Sequence, residues 1–190
     1  MAAIQLYLAS GSPRRMELLN QLGYQFERVV VDVEESHQIG ESPEDYVQRL
    51  SRDKALAGVK AAPTGLPVLG SDTIVVADLQ ILEKPVDFND AARMLKILSG
   101  RQHQVMTAVT VATKERIETK LVITQVWFKP LSDNEIKKYW QSGEPQDKAG
   151  SYGIQGLGGK FVERIDGSFY AVMGLPLVET DILLQDFLKL

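Results

Sequence analysis

The stretch Leu6-Tyr7-Leu8-Ala9-Ser10-Gly11-Ser12-Pro13-Arg14-Arg15-Met16-Glu17-Leu18-Leu19 decides how this chain begins to fold. Its first residues are an apolar run typical of a strand, and three small residues then form a turn. Ser12 suits the N-cap of a helix and Pro13 suits its first position, while Leu18 and Leu19 lie on its apolar face. The stretch therefore predicts a strand that passes through a short turn directly into a helix.

Two arginines lie in the first turn of this predicted helix. Arg14 and Arg15 are cations at the end of the helix where the macrodipole favours an anion. A bound phosphate compensates such cations, because free backbone N–H groups and guanidinium forks both bind oxyanions. The alternative is an ordinary strand-turn-helix with surface arginines, and this segment alone favours neither interpretation.

Composition narrows the classes of protein that remain. The chain has 190 residues, a net charge of −4, no cysteine and two histidines. This charge argues against a broad basic surface for nucleic acid, and the missing thiols exclude disulfides and thiolate metal sites. Any metal should be a hard cation held by carboxylates. Met1 to Ala9 lacks the pattern of a signal peptide and no run has transmembrane length, so we expect a cytoplasmic protein without membrane partners.

The remaining pattern mixes strand-helix units with hairpins and predicts an α/β fold with a mixed sheet. An apolar run from Pro67 to Ala77 reads as a buried strand that Ser71-Asp72-Thr73 interrupts. Asp166-Gly167 lies between two short strand-like runs and predicts a hairpin. Residues 176–190 fit a final helix. No linker or repeat divides the chain, so we expect one domain over residues 1–190.

Asp72 is the first candidate for chemistry, since a carboxylate in a buried strand is costly unless it is paired, metal-bound or catalytic. A turn-capping aspartate is the alternative. Glu34 and Glu35 follow another strand-like run, and an acidic pair of this kind is often a solvated turn. Lys54 and Lys84 could reach the same place, although each alone is typical of a surface lysine.

A second candidate is the segment from Gly150 to Gly159, which carries five glycines in ten residues. It reads as a loop whose Gln155 amide could contact the edge of a base, or else as a plain connection. Cations, carboxylates and this loop together match phosphoryl chemistry, which needs charge on the phosphates, a carboxylate-bound divalent ion and a carboxylate for water.

These motifs, taken in order, resemble the Maf family of nucleoside triphosphate pyrophosphatases. The resemblance spans nearly the whole chain and is strongest to the members that act on dTTP and UTP rather than on 7-methyl-GTP. It rests on Leu8-Ala9-Ser10-Gly11-Ser12-Pro13-Arg14-Arg15, Gly70-Ser71-Asp72-Thr73-Ile74-Val75, Glu83-Lys84-Pro85, Leu98-Ser99-Gly100, His103-Gln104-Val105 and Asp147-Lys148-Ala149-Gly150-Ser151-Tyr152-Gly153-Ile154-Gln155-Gly156.

The resemblance implies a fold and a set of roles. The fold is a mixed sheet in two lobes around a central cleft, an architecture shared with Ham1 and inosine triphosphatase-like proteins, usually in a homodimer. The activity is hydrolysis between the α- and β-phosphates with Mg²⁺ or Mn²⁺. Asp72 is expected to accept the proton, and Glu35 with Asp72 to hold the metal. The expected substrate contacts are Ser10, Arg14, Arg15, Lys54 and Lys84 on the phosphates, with Thr73 and Gln155 selecting the base and Arg14 at a position linked to pyrimidine preference.

Two other functions stay open at this point. One is a nucleotide-binding regulator of septum formation and cell division, which needs the cations and the loop but no acidic base. The other is an enzyme that removes modified nucleotides, for which dTTP and UTP are incidental substrates.

Overall fold

A seven-stranded sheet carries the fold in the computed structural model, which describes residues 3–189. The strand order is β2-β1-β3-β5-β6-β7, with β4 paired to β3 away from this path. The strands are β1 (Leu6–Leu8), β2 (Phe26–Arg28), β3 (Val68–Ala77), β4 (Gln80–Leu82), β5 (Gln102–Ala112), β6 (Ile117–Phe128) and β7 (Val162–Asp166).

The sheet is mixed, as predicted. β1 pairs in parallel with both β2 and β3, in registers that place Leu8 opposite Arg28 and Leu69. β4 runs antiparallel to the end of β3, and β7 runs antiparallel to the end of β6. Parallel neighbouring strands need a crossover connection between them. Along the chain, one helix connects β1 to β2 and the next helix connects β2 to β3.

Serine residues occupy the N-cap positions of three helices, and the sequence predicts the first of them, Ser12. Ser12, Ser42 and Ser132 are the N-caps of α1, α2 and α4, and Ser132 forms a full capping box with Glu135. The first turn of α1 contains no acidic residue, which leaves Arg14 and Arg15 against the helix dipole. The helices are α1 (Pro13–Gln21), α2 (Pro43–Ala61), α3 (Phe88–Leu98), α4 (Asp133–Gln141), α5 (Phe169–Met173) and α6 (Leu177–Leu188).

The chain divides into two compact units. The first unit consists of the described residues of Met1–Asp72, Thr107–Val122 and Gly174–Leu190, and it contains α1, α2 and α6. The second consists of Thr73–Met106 and Ile123–Met173, and it contains α3, α4 and α5. Two units agree with the two expected lobes, while the central cleft and the single domain over residues 1–190 stay predictions.

One local prediction is confirmed and one was wrong. The buried strand predicted over residues 67–77 is β3, which runs through Ser71-Asp72-Thr73, and the charge of Asp72 is compensated there by a lysine described below. The predicted hairpin at Asp166-Gly167 does not form, since a helix and not a second strand follows β7. The Ser168 hydroxyl accepts a hydrogen bond from the Ala171 amide at 3.1 Å and caps α5. No helix within residues 3–189 is long and apolar enough to cross a membrane.

His103 lies in the core of the second unit. Its side chain contacts the edges of the Phe128 and Tyr152 rings, with ring centroids 4.9 and 5.5 Å away. Its Nε2 atom is 2.8 Å from the Tyr152 hydroxyl, and its Nδ1 atom is buried without a hydrogen-bond partner. Burial lowers the pKa of His103 to about 3, so the imidazole is neutral in the folded protein at neutral pH.

We expect His103 to make the protein sensitive to acid. An unfolded histidine has a pKa of about 6.5, so below that pH the unfolded chain binds a proton that the folded chain does not. Between pH 7 and pH 5, the free energy of unfolding should fall by about 2 kcal/mol more in the wild type than in His103→Gln, as measured by urea unfolding.

The exposed His37 provides the control for this comparison. His37→Gln removes the other imidazole of the chain, so the same urea series on this variant separates its contribution from that of His103. Equal acid sensitivity in the wild type and in His103→Gln would show that His103 is not the group responsible.

Candidate active site

Asp72 lies within β3 and is paired with a lysine of α2. Its carboxyl group is buried, with 6% of the residue exposed. Lys54 Nζ donates a hydrogen bond to Asp72 Oδ1 at 2.7 Å. The same Nζ atom is 2.7 Å from Glu35 Oε1, so one ammonium group bridges both predicted metal ligands. The structure therefore brings three of the predicted site residues into direct contact.

The charges around Asp72 act in opposite directions. Burial raises the pKa of Asp72, whereas the charges of Lys54 and Arg15 lower it. Burial also lowers the pKa of Arg15, and the charge of Asp72 opposes that change. Arg15 therefore belongs to the same electrostatic cluster as Asp72, Lys54 and Glu35, with two cations facing two carboxylates.

Close packing of α2 on β3 brings Lys54 to Asp72. A Cβ atom at Gly70 would lie 2.6 Å from both the Ala55 amide nitrogen and the Ser51 carbonyl oxygen, so no side chain fits between helix and strand there. The Ser51 hydroxyl donates to the Gly70 carbonyl at 3.2 Å and is 2.8 Å from the Thr110 hydroxyl. Small residues on both elements thus fix the position of Lys54.

The turn before α1 presents three groups suited to phosphate. Ser10 Oγ accepts hydrogen bonds from the Ser12 amide at 3.1 Å and from Arg15 at 3.4 Å. Arg15 also donates to the Gly174 carbonyl at 2.8 Å, which orients its guanidinium group. Arg28 on β2 donates to the Ser10 carbonyl at 3.2 Å, which adds a cation to the turn. Guanidinium groups at a helix N-terminus favour an oxyanion ligand.

The segment that carries Glu35 is held against α2 by Arg49. Its guanidinium group binds both carboxylate oxygens of Glu41, at 2.6 and 2.9 Å, and donates to the Ser36 carbonyl at 2.9 Å. Tyr46, on the same helix, donates to the Glu35 carbonyl at 3.3 Å. The hydrogen bonds from Arg49 lower the pKa of Glu41 to about 2, so the pair is charged at neutral pH.

The predicted residues fall into two groups. Ser10, Arg15, Glu35, Lys54 and Asp72 are brought together in the first unit, and Arg14 lies beside Arg15 at the start of α1. The other three, Thr73, Lys84 and Gln155, belong to the second unit, and their part in the site stays a prediction.

Sequence reasoning missed Arg28, Arg49 and Tyr46. Only Arg49 has a local signal, its i,i+4 spacing to Asp53, with which it forms a 3.5 Å ion pair. The partners of Arg28 and Tyr46 are backbone carbonyl groups distant in sequence, which no spacing rule identifies.

The carboxylates fit a divalent cation held jointly with a substrate. Within residues 3–189, no three Asp, Glu, His or Cys side chains form a complete metal cage. Mg²⁺ does not require one, because one or two carboxylates usually hold it together with water and phosphate oxygens. Glu35 and Asp72 supply two hard oxygen donors that already converge on one cation, the Lys54 ammonium group.

Comparison with known proteins decides the family. The model of the Maf-like protein family matches residues 5–187. The chain belongs to the Maf family. This Maf chain is 75% identical over 196 residues to a protein of Photobacterium profundum named dTTP/UTP pyrophosphatase, with 100% of both chains covered. A Vibrio cholerae protein of the same name is 64% identical, over 98% of this chain and 100% of the relative.

Among solved structures, the Maf chain is similar to the Ham1 protein of Staphylococcus aureus. The TM-score is 0.46 and the identity is 17%, over 67% of this chain and 72% of the other.

We expect Gly70→Ala to destabilise the Maf chain, because the added methyl group must displace the backbone of α2. Overpacking of this kind costs roughly 1–3 kcal/mol, which urea unfolding should detect as a lower midpoint. Gly65→Ala is the matched control, since nothing lies within 4 Å of the Cβ position there. Unchanged stability in Gly70→Ala would contradict the close approach of helix and strand.

We expect Arg49→Met to loosen the segment that carries Glu35. Loss of the hydrogen bonds to Glu41 and Ser36 should speed amide hydrogen exchange in residues 36–41 by about tenfold, measured by mass spectrometry. Arg52→Met, at an exposed position of the same helix, should leave this exchange unchanged. Equal exchange in both variants would mean that Arg49 does not hold the segment.

Proposed function

We propose that this Maf chain hydrolyses dTTP and UTP to the nucleoside monophosphate and pyrophosphate. The observation that carries the proposal is the cluster in which Lys54 bridges Asp72 and Glu35 while the charge of Arg15 acts on Asp72. Such a cluster offers both a carboxylate that can accept a proton from water and cations that can bind phosphate groups. Full-length relatives named dTTP/UTP pyrophosphatase support the same conclusion.

The turn before α1 binds the phosphates in this proposal. Arg14 and Arg15 stand at the N-terminus of α1, where free backbone N–H groups add to their charge. The Ser10 hydroxyl orders the turn, and Arg28 lies against its carbonyl group. A fully ionised triphosphate carries about four negative charges, so several cations are needed before it can approach the two carboxylates.

Asp72 acts on the water molecule. Its carboxylate accepts a hydrogen bond from the water and takes up its proton as the water oxygen bonds to the α-phosphorus. The bond from that phosphorus to the bridging oxygen breaks, and the bond electrons leave with pyrophosphate. Burial raises the pKa of Asp72 above its ordinary value, which makes it a stronger proton acceptor, and the charges of Lys54 and Arg15 oppose that rise.

Glu35 and Asp72 would hold Mg²⁺ or Mn²⁺. A bound divalent ion neutralises charge on the phosphate oxygens and makes a water molecule more acidic. Lys54 occupies the position between these carboxylates, and its ammonium group can turn to a phosphate only if another cation compensates them.

The second unit contributes selectivity in this proposal. Thr73 and Gln155 contact the base, and Lys84 adds a further cation for the phosphates. We also propose that two copies of the chain form a homodimer in the cytoplasm, because the resemblance to the family implies it.

The decisive experiment combines product analysis with Asp72→Asn. The wild type is incubated with dTTP, UTP, CTP, ATP and GTP in the presence of Mg²⁺ or Mn²⁺, and products are separated by chromatography. We expect monophosphate and pyrophosphate mainly from dTTP and UTP. Asp72→Asn should lower kcat by about 10²–10⁴-fold while UTP binding, measured by calorimetry, remains.

Asp166→Asn, at an exposed position of β7, is the control and should keep wild-type kcat. A wild type that binds UTP but releases no product would favour the nucleotide-binding regulator. Release of inorganic phosphate in place of pyrophosphate would show that a different bond is cleaved.

A further inference from the structure

The glycine-rich loop of the second unit is folded around one carboxylate, that of Glu144. Its Oε2 atom accepts a hydrogen bond from the Leu157 amide at 2.8 Å, and its Oε1 atom accepts one from the Gly158 amide at 3.0 Å. The Tyr139 hydroxyl also donates to Oε1, at 2.7 Å. Glu144 lies next to Gly143, just after α4, and is only partly exposed.

The same network reaches the other end of the loop. The Gly153 amide donates to the Tyr139 hydroxyl at 3.1 Å, so Tyr139 links Gly153 to the Glu144 carboxylate. The backbone is thus held at Gly153 on one side of Gln155 and at Leu157 on the other. Residue 155 is exposed and lies at the middle of a five-residue arch, one end of which is bonded to Tyr139 and the other to Glu144.

The loop passes so close to the carboxylate that a side chain at one position would displace it. A Cβ atom at Gly156 would lie 2.2 Å from Glu144 Oε2 and 2.6 Å from its Cδ atom. The lack of a side chain at Gly156 therefore leaves room for the Glu144 carboxylate. Lys148 adds to the anchor, because its Nζ atom donates to the Glu144 carbonyl at 2.8 Å.

We propose that Glu144 is a positioning residue for nucleotide selection, which fixes the arch that presents Gln155 to the base. The inference rests on the proposed function, in which Gln155 contacts the base. Glu144 itself need not touch the substrate: it acts through the backbone on either side of residue 155. A specificity-determining element thus includes a residue eleven positions earlier in the chain, together with Tyr139.

Only a carboxylate satisfies all the donors in this network. Burial by itself raises the pKa of Glu144, but the hydrogen bonds from Tyr139, Gly158 and Leu157 outweigh it and lower the pKa. Glu144 is therefore ionised at neutral pH, and both of its oxygens are acceptors. In Glu144→Gln one oxygen is replaced by an NH₂ group, which cannot accept from a backbone amide, so at least one end of the arch is released.

The test compares selectivity, which does not depend on how much of the enzyme is folded. The ratio of kcat/KM for UTP to that for CTP is measured in the wild type, Gln155→Ala, Glu144→Gln and the double variant. We expect Glu144→Gln to lower this ratio by about tenfold, as the loss of a hydrogen bond to a charged group implies. In the Gln155→Ala background, Glu144→Gln should lower it no further.

Glu163→Gln provides a matched control on the exposed side of the same unit and should keep the wild-type ratio. Hydrogen exchange gives a second readout: in Glu144→Gln the amides of residues 153–158 should exchange at least several-fold faster than in the wild type.

Three results would overturn the inference while the proposed hydrolysis of dTTP and UTP stands. They are an unchanged ratio in Glu144→Gln, an unchanged ratio in Gln155→Ala, or a further loss of selectivity in the double variant. A wild type that cleaves no triphosphate would contradict the proposed function instead. In that case unchanged exchange of residues 153–158 in Glu144→Gln would also overturn the anchoring role of Glu144.

Discussion

A carboxylate in the middle of a buried strand has to be compensated, and in this chain Lys54 compensates Asp72 at 2.7 Å. An unpaired charge at this depth would cost several kcal/mol. Much of the first unit can be read as the means of keeping this pair together. Gly70 lets α2 approach β3, and hydroxyl groups of Ser51 and Thr110 satisfy the polar atoms that the approach buries. The burial of Asp72 and the close packing of α2 on β3 therefore depend on each other.

Residues along most of helix α2 help to hold the carboxylates of the cluster in place. Tyr46 and Arg49 hold the segment that carries Glu35, while Lys54 contacts Glu35 and Asp72 themselves. The helix thus provides Lys54 to the cluster and also positions Glu35, which lies outside the helix. The turn before α1 contributes the opposing charge through Arg15, whose orientation is set by the Gly174 carbonyl. Side chains of the cluster come from distant parts of the chain, and backbone carbonyl groups fix them as much as they fix one another.

Sequence reasoning reached the elements whose signals are local and missed those that depend on long-range contacts. The cap of α1 was visible in the Ser12-Pro13 motif and is confirmed. The buried strand that contains Asp72 is confirmed, and a lysine eighteen residues earlier in the chain compensates its charge. The hairpin after Asp166 was wrong because Ser168 caps a helix and its amide donates to Thr124 on β6. Asp72 and Glu35 could be predicted as partners, but Arg28 could not, since the group that it binds is a carbonyl distant in sequence.

In the loop around Glu144, the shape of the backbone does not depend on which side chain stands at position 155. Its backbone is held through amide groups and one carboxylate, and none of the hydrogen bonds that shape it involves the side chain at position 155. A substitution at position 155 therefore leaves these hydrogen bonds in place. A change at position 144 removes acceptors that hold the loop on the far side of residue 155, so the two positions carry different constraints.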